Sequence, residues 1–180
     1  GHHGAVVRLV KCLAIIHRNS PLFVVAYLAA NRLGAVAVPI NFMVQKADEL
    51  ACMLNDCGAV GIVTQKEFLK GVRAAAAKTP SLRAIWLTDS DEIPGTERPF
   101  GELQKASASS STDADVDEQD TAAILYTSGT TGNPKGVMLT HRNFVTNAEA
   151  SAKKLELRRG DVGLCILPMF HSFAWTGNVL

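Results

Sequence analysis

Thr121-Ala122-Ala123-Ile124-Leu125-Tyr126-Thr127-Ser128-Gly129-Thr130-Thr131-Gly132-Asn133-Pro134-Lys135-Gly136-Val137-Met138-Leu139-Thr140 places two apolar runs on either side of a loop of hydroxyls, glycines and one lysine. The runs, Thr121–Thr127 and Val137–Thr140, have strand length and strand composition, so the stretch reads as strand, loop, strand. The loop Thr127–Gly136 suits an anion. Thr127, Ser128, Thr130 and Thr131 offer hydroxyl donors, and Gly129 and Gly132 let backbone N–H groups turn toward a ligand as a nest. Lys135 adds a positive charge, and Pro134 holds one φ angle just before it. The P-loop of nucleotide triphosphatases is excluded: it needs glycines five apart, then Lys, then Ser or Thr, then a helix. Here Gly129 and Gly132 are three apart, Gly136 follows the lysine and a strand follows that. The chemistry is that of a polyphosphate cradle in a different setting.

Outward from this stretch, apolar runs of strand length alternate with amphipathic ones. Leu9–Ile16, Ala35–Pro39, Ala59–Thr64, Arg83–Thr88 and Val162–Leu167 join the two runs above as strands, most of them near-continuous in hydrophobicity, as strands covered on both faces are. Ser20 caps a helix opened by Pro21 and closed by Gly34, and Lys46–Cys57 forms another that stops at Gly58. Gln65–Lys78 carries the helix-forming run Ala74–Ala77, and Thr140 caps a helix from His141 to about Leu157. The alternation predicts an α/β fold: mostly parallel sheets with flanking helices, joined by right-handed crossovers.

Composition sets bounds. Eighteen Lys plus Arg against seventeen Asp plus Glu leave a net charge of +1 without a basic cluster, which gives no support to nucleic-acid binding. The 47 % of hydrophobic residues suffices for a packed core. Cys12, Cys52, Cys57 and Cys165 lack metal-ligand spacing, and only Cys52 and Cys57 are close in sequence; they read as buried free thiols. The longest apolar candidate for a membrane span, Leu22–Ile40, is broken by Asn31-Arg32. These features fit a cytoplasmic protein, with peripheral membrane attachment left open.

The order Ile124-Leu125-Tyr126 through Gly136, followed by Val137-Met138-Leu139-Thr140-His141-Arg142-Asn143, resembles the signature loop of the adenylate-forming (AMP-binding) superfamily, which includes acyl-CoA synthetases, peptide-synthetase adenylation domains and luciferase. Asn19 to Leu28, Gly34 to Asn41, Asp48-Glu49-Leu50, Leu54-Asn55-Asp56 and Gly58-Ala59 are similar to the first half of that family's large domain. Leu167-Pro168-Met169-Phe170-His171 resembles its aromatic-His motif, so the likeness runs from about residue 12 to the end. The resemblance implies that Thr127, Ser128, Gly129, Thr130, Thr131, Gly132 and Lys135 grip the phosphates of ATP while a carboxylate attacks the α-phosphate. It implies that His171 lies near the carboxylate and adenylate. It makes Thr127 the candidate hydroxyl for Mg²⁺, whose glutamate partner belongs to a motif not found here, and CoA the acceptor. The Phe-His-x-x-Ala-Trp arrangement is similar to that of long-chain fatty acyl-CoA synthetases, some of which use an aromatic to gate an acyl tunnel; Trp175 is that residue here, or a core tryptophan. Ala174 stands where many members have Gly, which leaves the pocket's shape open.

Without the resemblance, His171 beside aromatics reads as a packed histidine, and His141, His17 and Arg18 read as parts of strand-to-helix turns. Within it, the domain plan is a tag remnant at 1–4, a first α/β segment at 5–106, a flexible linker at 107–119, and an ATP-loop segment with the start of the acyl pocket at 120–180. The linker assignment rests on Ser107 to Thr112 and the acidic run Asp113, Asp115, Asp117 and Glu118. The family's ribose-binding Asp, hinge and catalytic Lys are not found. The chain is therefore expected to be an inactive part of a fatty acid–CoA ligase, with apolar edges that favour self-association into a homo-oligomer. Two alternatives stay open: a non-catalytic nucleotide- or acyl-binding module, and a peptide-synthetase-like adenylation domain.

Overall fold

The computed structural model describes residues 11–44, 46–90, 95–105, 114–127 and 134–178. Within them the apolar runs become strands β1 (Cys12–Ile16), β2 (Val36–Pro39), β3 (Ala59–Thr64), β4 (Ala84–Leu87), β5 (Arg98–Pro99), β6 (Thr121–Thr127) and β7 (Lys135–Thr140). They form one seven-stranded sheet in the order β5-β4-β3-β1-β2-β6-β7. Every neighbouring pair is parallel except β6 and β7, whose hairpin runs antiparallel. The chain leaves β1 toward β2 on one side and later returns to lay β3 on the other. That reversal makes a topological switch point at the carboxyl ends of β1 and β3, where open α/β sheets place ligands.

The helices are α1 (Pro21–Arg32), α2 (Ala47–Asp56), a 3₁₀ turn at Lys66–Phe68, α3 (Leu69–Ala76), α4 (Gly101–Lys105), α5 (His141–Lys154) and α6 (Ser172–Asn178). Their ends follow side-chain chemistry. Ser20 accepts from Phe23 N at 3.2 Å, Pro21 stands where the missing N–H costs nothing, and Thr140 with Asn143 forms a reciprocal capping box at α5. Gly34 closes α1 at φ +69°, and a Cβ there would also lie 2.9 Å from the Ala114 methyl.

Alternation along the strands divides the core. Cys12, Ala14, Ile16, Val36, Val38 and Ile40 pack under α2 and α3, whereas Ile15, Ala37 and Val63 pack with Phe23, Ala26 and Tyr27 of α1, Phe144 of α5 and Trp175 of α6. Both faces of the central strands are covered, which explains their near-continuous apolar sequence.

Four expectations need correction. Val162–Leu167 is not a strand, although its residues suit one; Val162, Leu164 and Ile166 are 97, 82 and 76 % exposed, and no described strand offers them a ladder. The 107–119 segment is not free along its length: residues 107–113 lie outside the described residues, but Ala114 N donates to Arg32 O at 3.1 Å and Glu118 pairs with Arg142. The stretches on either side of it contribute strands to the same sheet. Only Cys12 of the four thiols is buried; Cys52 is exposed and Cys57 and Cys165 are half-buried. The helix expected over Gln65–Lys78 is divided into a 3₁₀ turn and the shorter α3. β5, α4 and α6 are two, five and seven residues long, too short to show a period in sequence.

Candidate active site

The loop of hydroxyls and glycines is held by its strands. Thr127 and Lys135 face each other at the open end of the β6–β7 hairpin, and the Thr127 hydroxyl lies 3.5 Å from Lys135 O. Both residues are exposed. Ser128, Gly129, Thr130, Thr131 and Gly132 lie outside the described residues.

The neighbouring Tyr126 anchors this hairpin end. Its hydroxyl is 2.6 Å from Asp56 Oδ2 and 2.9 Å from Met53 O, joining β6 to the end of α2. Burial, then the hydrogen bond to the Asp56 carboxylate, hold the phenol above its usual range, so it stays a donor. Across the ladder stands Gly136, where a Cβ would lie 2.9 Å from Ile124 Cγ2 and 3.3 Å from the Tyr126 ring. The glycine next to the lysine thus leaves room for the tyrosine that fastens the loop.

His171 opens the turn into α6. Its N–H donates to Pro168 O at 3.0 Å, its carbonyl accepts from Trp175 N at 3.2 Å, and its Nδ1 accepts from Phe173 N at 3.3 Å. With Nδ1 accepting, Nε2 is the ring's donor nitrogen. The imidazole is exposed, which replaces the packed-histidine reading by that of a capping residue with a free donor edge. Asn19 fixes this turn from the connection between β1 and α1: its Nδ2 donates to Leu167 O and its Oδ1 accepts from Met169 N, both at 2.8 Å. An amide that clamps backbone far away in sequence leaves no local signal.

Trp175 is 2 % exposed and stacks on Tyr27 with ring centroids 3.8 Å apart; Phe23 lies at 5.9 Å. This is a core tryptophan in the structure. It also forms one wall of an open groove of ≈ 430 Å³ between α1 and α5, with Tyr27, Asn31, Phe144 and Ala148 among the other walls. The Tyr27 hydroxyl is buried there without a hydrogen-bond partner among the described residues.

A second cluster gathers at the switch point. Arg18 grips Glu67 through Nε at 2.6 Å and Nη2 at 2.8 Å, and its guanidinium lies 5.1 Å from the Phe42 ring centroid. Phe42 in turn meets Phe170 edge-on at 5.5 Å, tying the aromatic-His segment to β2. His17 is buried, with Nδ1 2.6 Å from Arg18 O and Nε2 2.7 Å from Thr88 Oγ1. Burial pushes its pKa down, so it is a neutral, satisfied core histidine, as its place in a strand-to-helix turn predicts. His141 begins α5 and lines the groove.

A metal is poorly served by the described residues. They contain no group of three His, Cys, Asp or Glu able to hold an ion, and Thr127 alone offers a hydroxyl at the loop. Among them no helix is long and apolar enough to cross a membrane.

Comparison with known proteins agrees with this geometry. The family model described as AMP-binding enzyme matches residues 8–180. A 4-coumarate–CoA ligase from Oryza sativa subsp. japonica is 36 % identical over 96 % of the chain and 30 % of its own length. The crystal structure of an anthranilate CoA ligase in complex with anthranoyl-AMP superposes with a TM-score of 0.85 at 26 % identity, over 96 % of this chain and 32 % of that one. A long-chain-fatty-acid–CoA ligase from Archaeoglobus fulgidus gives a TM-score of 0.81 at 31 % identity, over 96 and 34 %. The chain thus spans about a third of the relatives it matches.

Proposed function

Since the chain belongs to the AMP-binding enzyme family, we propose that it supplies the ATP-gripping part of an acid–CoA ligase. The observation that carries this reading is the Thr127–Lys135 hairpin end, braced by Tyr126 against α2, between which the sequence runs through hydroxyls and glycines. Lys135 brings charge to the β- and γ-phosphates, and Thr127 with the loop's N–H groups donates to their oxygens. Holding the pyrophosphate in this way exposes the α-phosphate to a carboxylate. An acyl-adenylate forms as pyrophosphate leaves, and the CoA thiol then displaces AMP. In this reading His171, whose ring is exposed, donates through Nε2–H to the carboxylate or the adenylate. Thr127 is the described residue that would offer magnesium a hydroxyl, and the ion would neutralise charge on the departing pyrophosphate.

The acid is an aromatic propenoate of the 4-coumarate kind in the first reading, supported by the Oryza relative. A long-chain fatty acid is the second reading, supported by the Archaeoglobus structure and by the Phe170–Trp175 run. The burial of Trp175 against Tyr27 favours the first, because a stacked core ring is poorly free to swing as a tunnel gate. The test is carboxylate-dependent exchange of labelled pyrophosphate into ATP by the full-length protein, with 4-coumarate and palmitate compared. Exchange with either acid is expected, with Lys135→Ala slowing it at least about tenfold, roughly 1.4 kcal/mol of transition-state contact. Exchange with amino acids alone would move the protein to the peptide-synthetase type. No exchange with any acid would leave only a nucleotide-binding module.

A further inference from the structure

The two flanks of His171 are held by different means. Downstream, Trp175 seats α6 in the core against Tyr27 and Phe23. Upstream, Val162, Leu164 and Ile166 are largely in water and join no described ladder. Between these stretches one side chain does what a neighbouring strand would do: Asn19 donates from Nδ2 to Leu167 O and accepts at Oδ1 from Met169 N, both at 2.8 Å. The two bonds straddle Pro168, whose carbonyl accepts the His171 N–H at 3.0 Å. The clamp thus ends one hydrogen bond away from the histidine backbone. From there Phe173 N holds the ring through Nδ1 at 3.3 Å.

Asn19 is itself pinned on both sides. Arg18 N donates to Gln65 Oε1 at 2.9 Å and the Arg18 guanidinium grips Glu67, while Ser20 caps α1. A side chain on so short a tethered connection is ordered before any ligand arrives, and such a support lowers the cost of holding a binding group in place. The clamp also calls for an amide. Leu167 O can only accept and Met169 N can only donate, which fixes the orientation of the Asn19 carboxamide; a carboxylate in its place would set a second acceptor against Leu167 O.

We infer that Asn19 is a positioning residue for His171, setting the place from which the imidazole meets the substrate carboxylate or the adenylate. What His171 touches rests on the acid–CoA ligase reading; the clamp itself is a property of the fold. Thr127 and Lys135 stand at the end of the β6–β7 hairpin, and β6 lies two positions from β1 in the sheet, so the clamp governs use of the acid and not of ATP.

The full-length protein is compared with its Asn19→Asp, Asn19→Ala and His171→Ala variants and with the double variant Asn19→Asp, His171→Ala. Carboxylate-dependent exchange of labelled pyrophosphate into ATP is measured with acid and ATP varied separately, together with amide hydrogen exchange. Asn19→Asp is expected to lower kcat/KM for the acid about tenfold while KM for ATP stays within about twofold. In the His171→Ala background the same change should cost less than about twofold more, because both residues act on one contact. Amide exchange at Met169 and His171 should quicken in Asn19→Asp, with β1 and α1 unchanged. Asn19 is exposed, so neither substitution disturbs the core, and Asn19→Ala, which removes both bonds without adding charge, should reproduce the loss. Losses that multiply in the double variant, or that raise KM for ATP as much as KM for the acid, overturn the positioning role. Unchanged exchange at Met169 overturns the clamp. Failure of the unmodified protein to exchange pyrophosphate with any acid is a separate result: it removes the ligase reading and the positioning role with it, while amide exchange still reports on the clamp.

Discussion

The centre of the sheet and its β7 edge are unlike. At β1, β2 and β3, strands run parallel between helices on both faces, and Ala14, Ile15, Ala37, Val38 and Ile62 lose all contact with water. At the edge, β7 shows Val137 at 44 % and Met138 at 65 % exposure, and the Val162–Leu167 run stands clear of any described ladder. Apolar residues occur in both places; the number of neighbouring layers differs. Hydrophobicity therefore states a demand for burial, and only the presence of a second layer says whether that demand is met within the same stretch of chain. The hairpin of β6 and β7 lies at this less covered edge, where Tyr126 anchors it to Asp56 and Met53.

The strongest test of this contrast is Trp175→Ala. The ring joins α6 to the well-packed half through Tyr27 and Phe23, so its removal should cost about 3–5 kcal/mol, seen as a lower urea midpoint. A loss below about 1 kcal/mol would place α6 with the loosely held edge. Next, Tyr126→Phe leaves the ring in place but strips the bonds to Asp56 and Met53; a cost of about 1–2 kcal/mol is expected, with faster amide exchange concentrated at Lys135–Val137. Exchange that quickens equally in β3 would mean that centre and edge share one anchor.

Glu97 tests the opposite edge of the sheet, beside β5, by pH. Its carboxyl is held below the usual 4.5, first by the hydrogen bonds from Arg73 at 2.7 and 2.9 Å. A carboxylate lowered on folding contributes stability that is complete above pH 4.5 and is lost as pH falls through the lower folded value. In Glu97→Gln the acid-side decline should be shallower, measured as urea midpoints at successive pH; an unchanged slope would remove this pair from the account. The smallest effect is expected for Met138→Gln and Val162→Gln, within about 0.5 kcal/mol by the same measurement, because both side chains are mostly in water already. A large loss from either would show that the exposed stripe is covered in solution.

Much of the fold is legible in the chain because its signals are local. Ser20-Pro21, Gly34, Gly58 and Thr140 mark helix ends through bonds and φ angles settled within four residues, and the structure places helix ends at each. β5 and α6 are not legible, since their few residues cannot display a period. Val162–Leu167 misleads because a strand needs a partner and apolar residues alone do not supply one. At the site, residue types identify the loop, but the fixtures behind it are long-range: Tyr126 on Asp56, Asn19 on Leu167 and Met169, and Arg18 on Glu67 and Phe42. A hydrogen bond across such separations leaves no trace in spacing.

By itself the sequence determined the α/β alternation and the helix caps, and the residue types on which the proposed phosphate role of Thr127–Gly136 rests, because propensity, capping and donor chemistry act within a few residues. The tertiary structure decided that Trp175 belongs to the core and that His171 is a cap with an exposed ring. These are matters of which surfaces meet, and sheet order brings together residues that the chain keeps far apart.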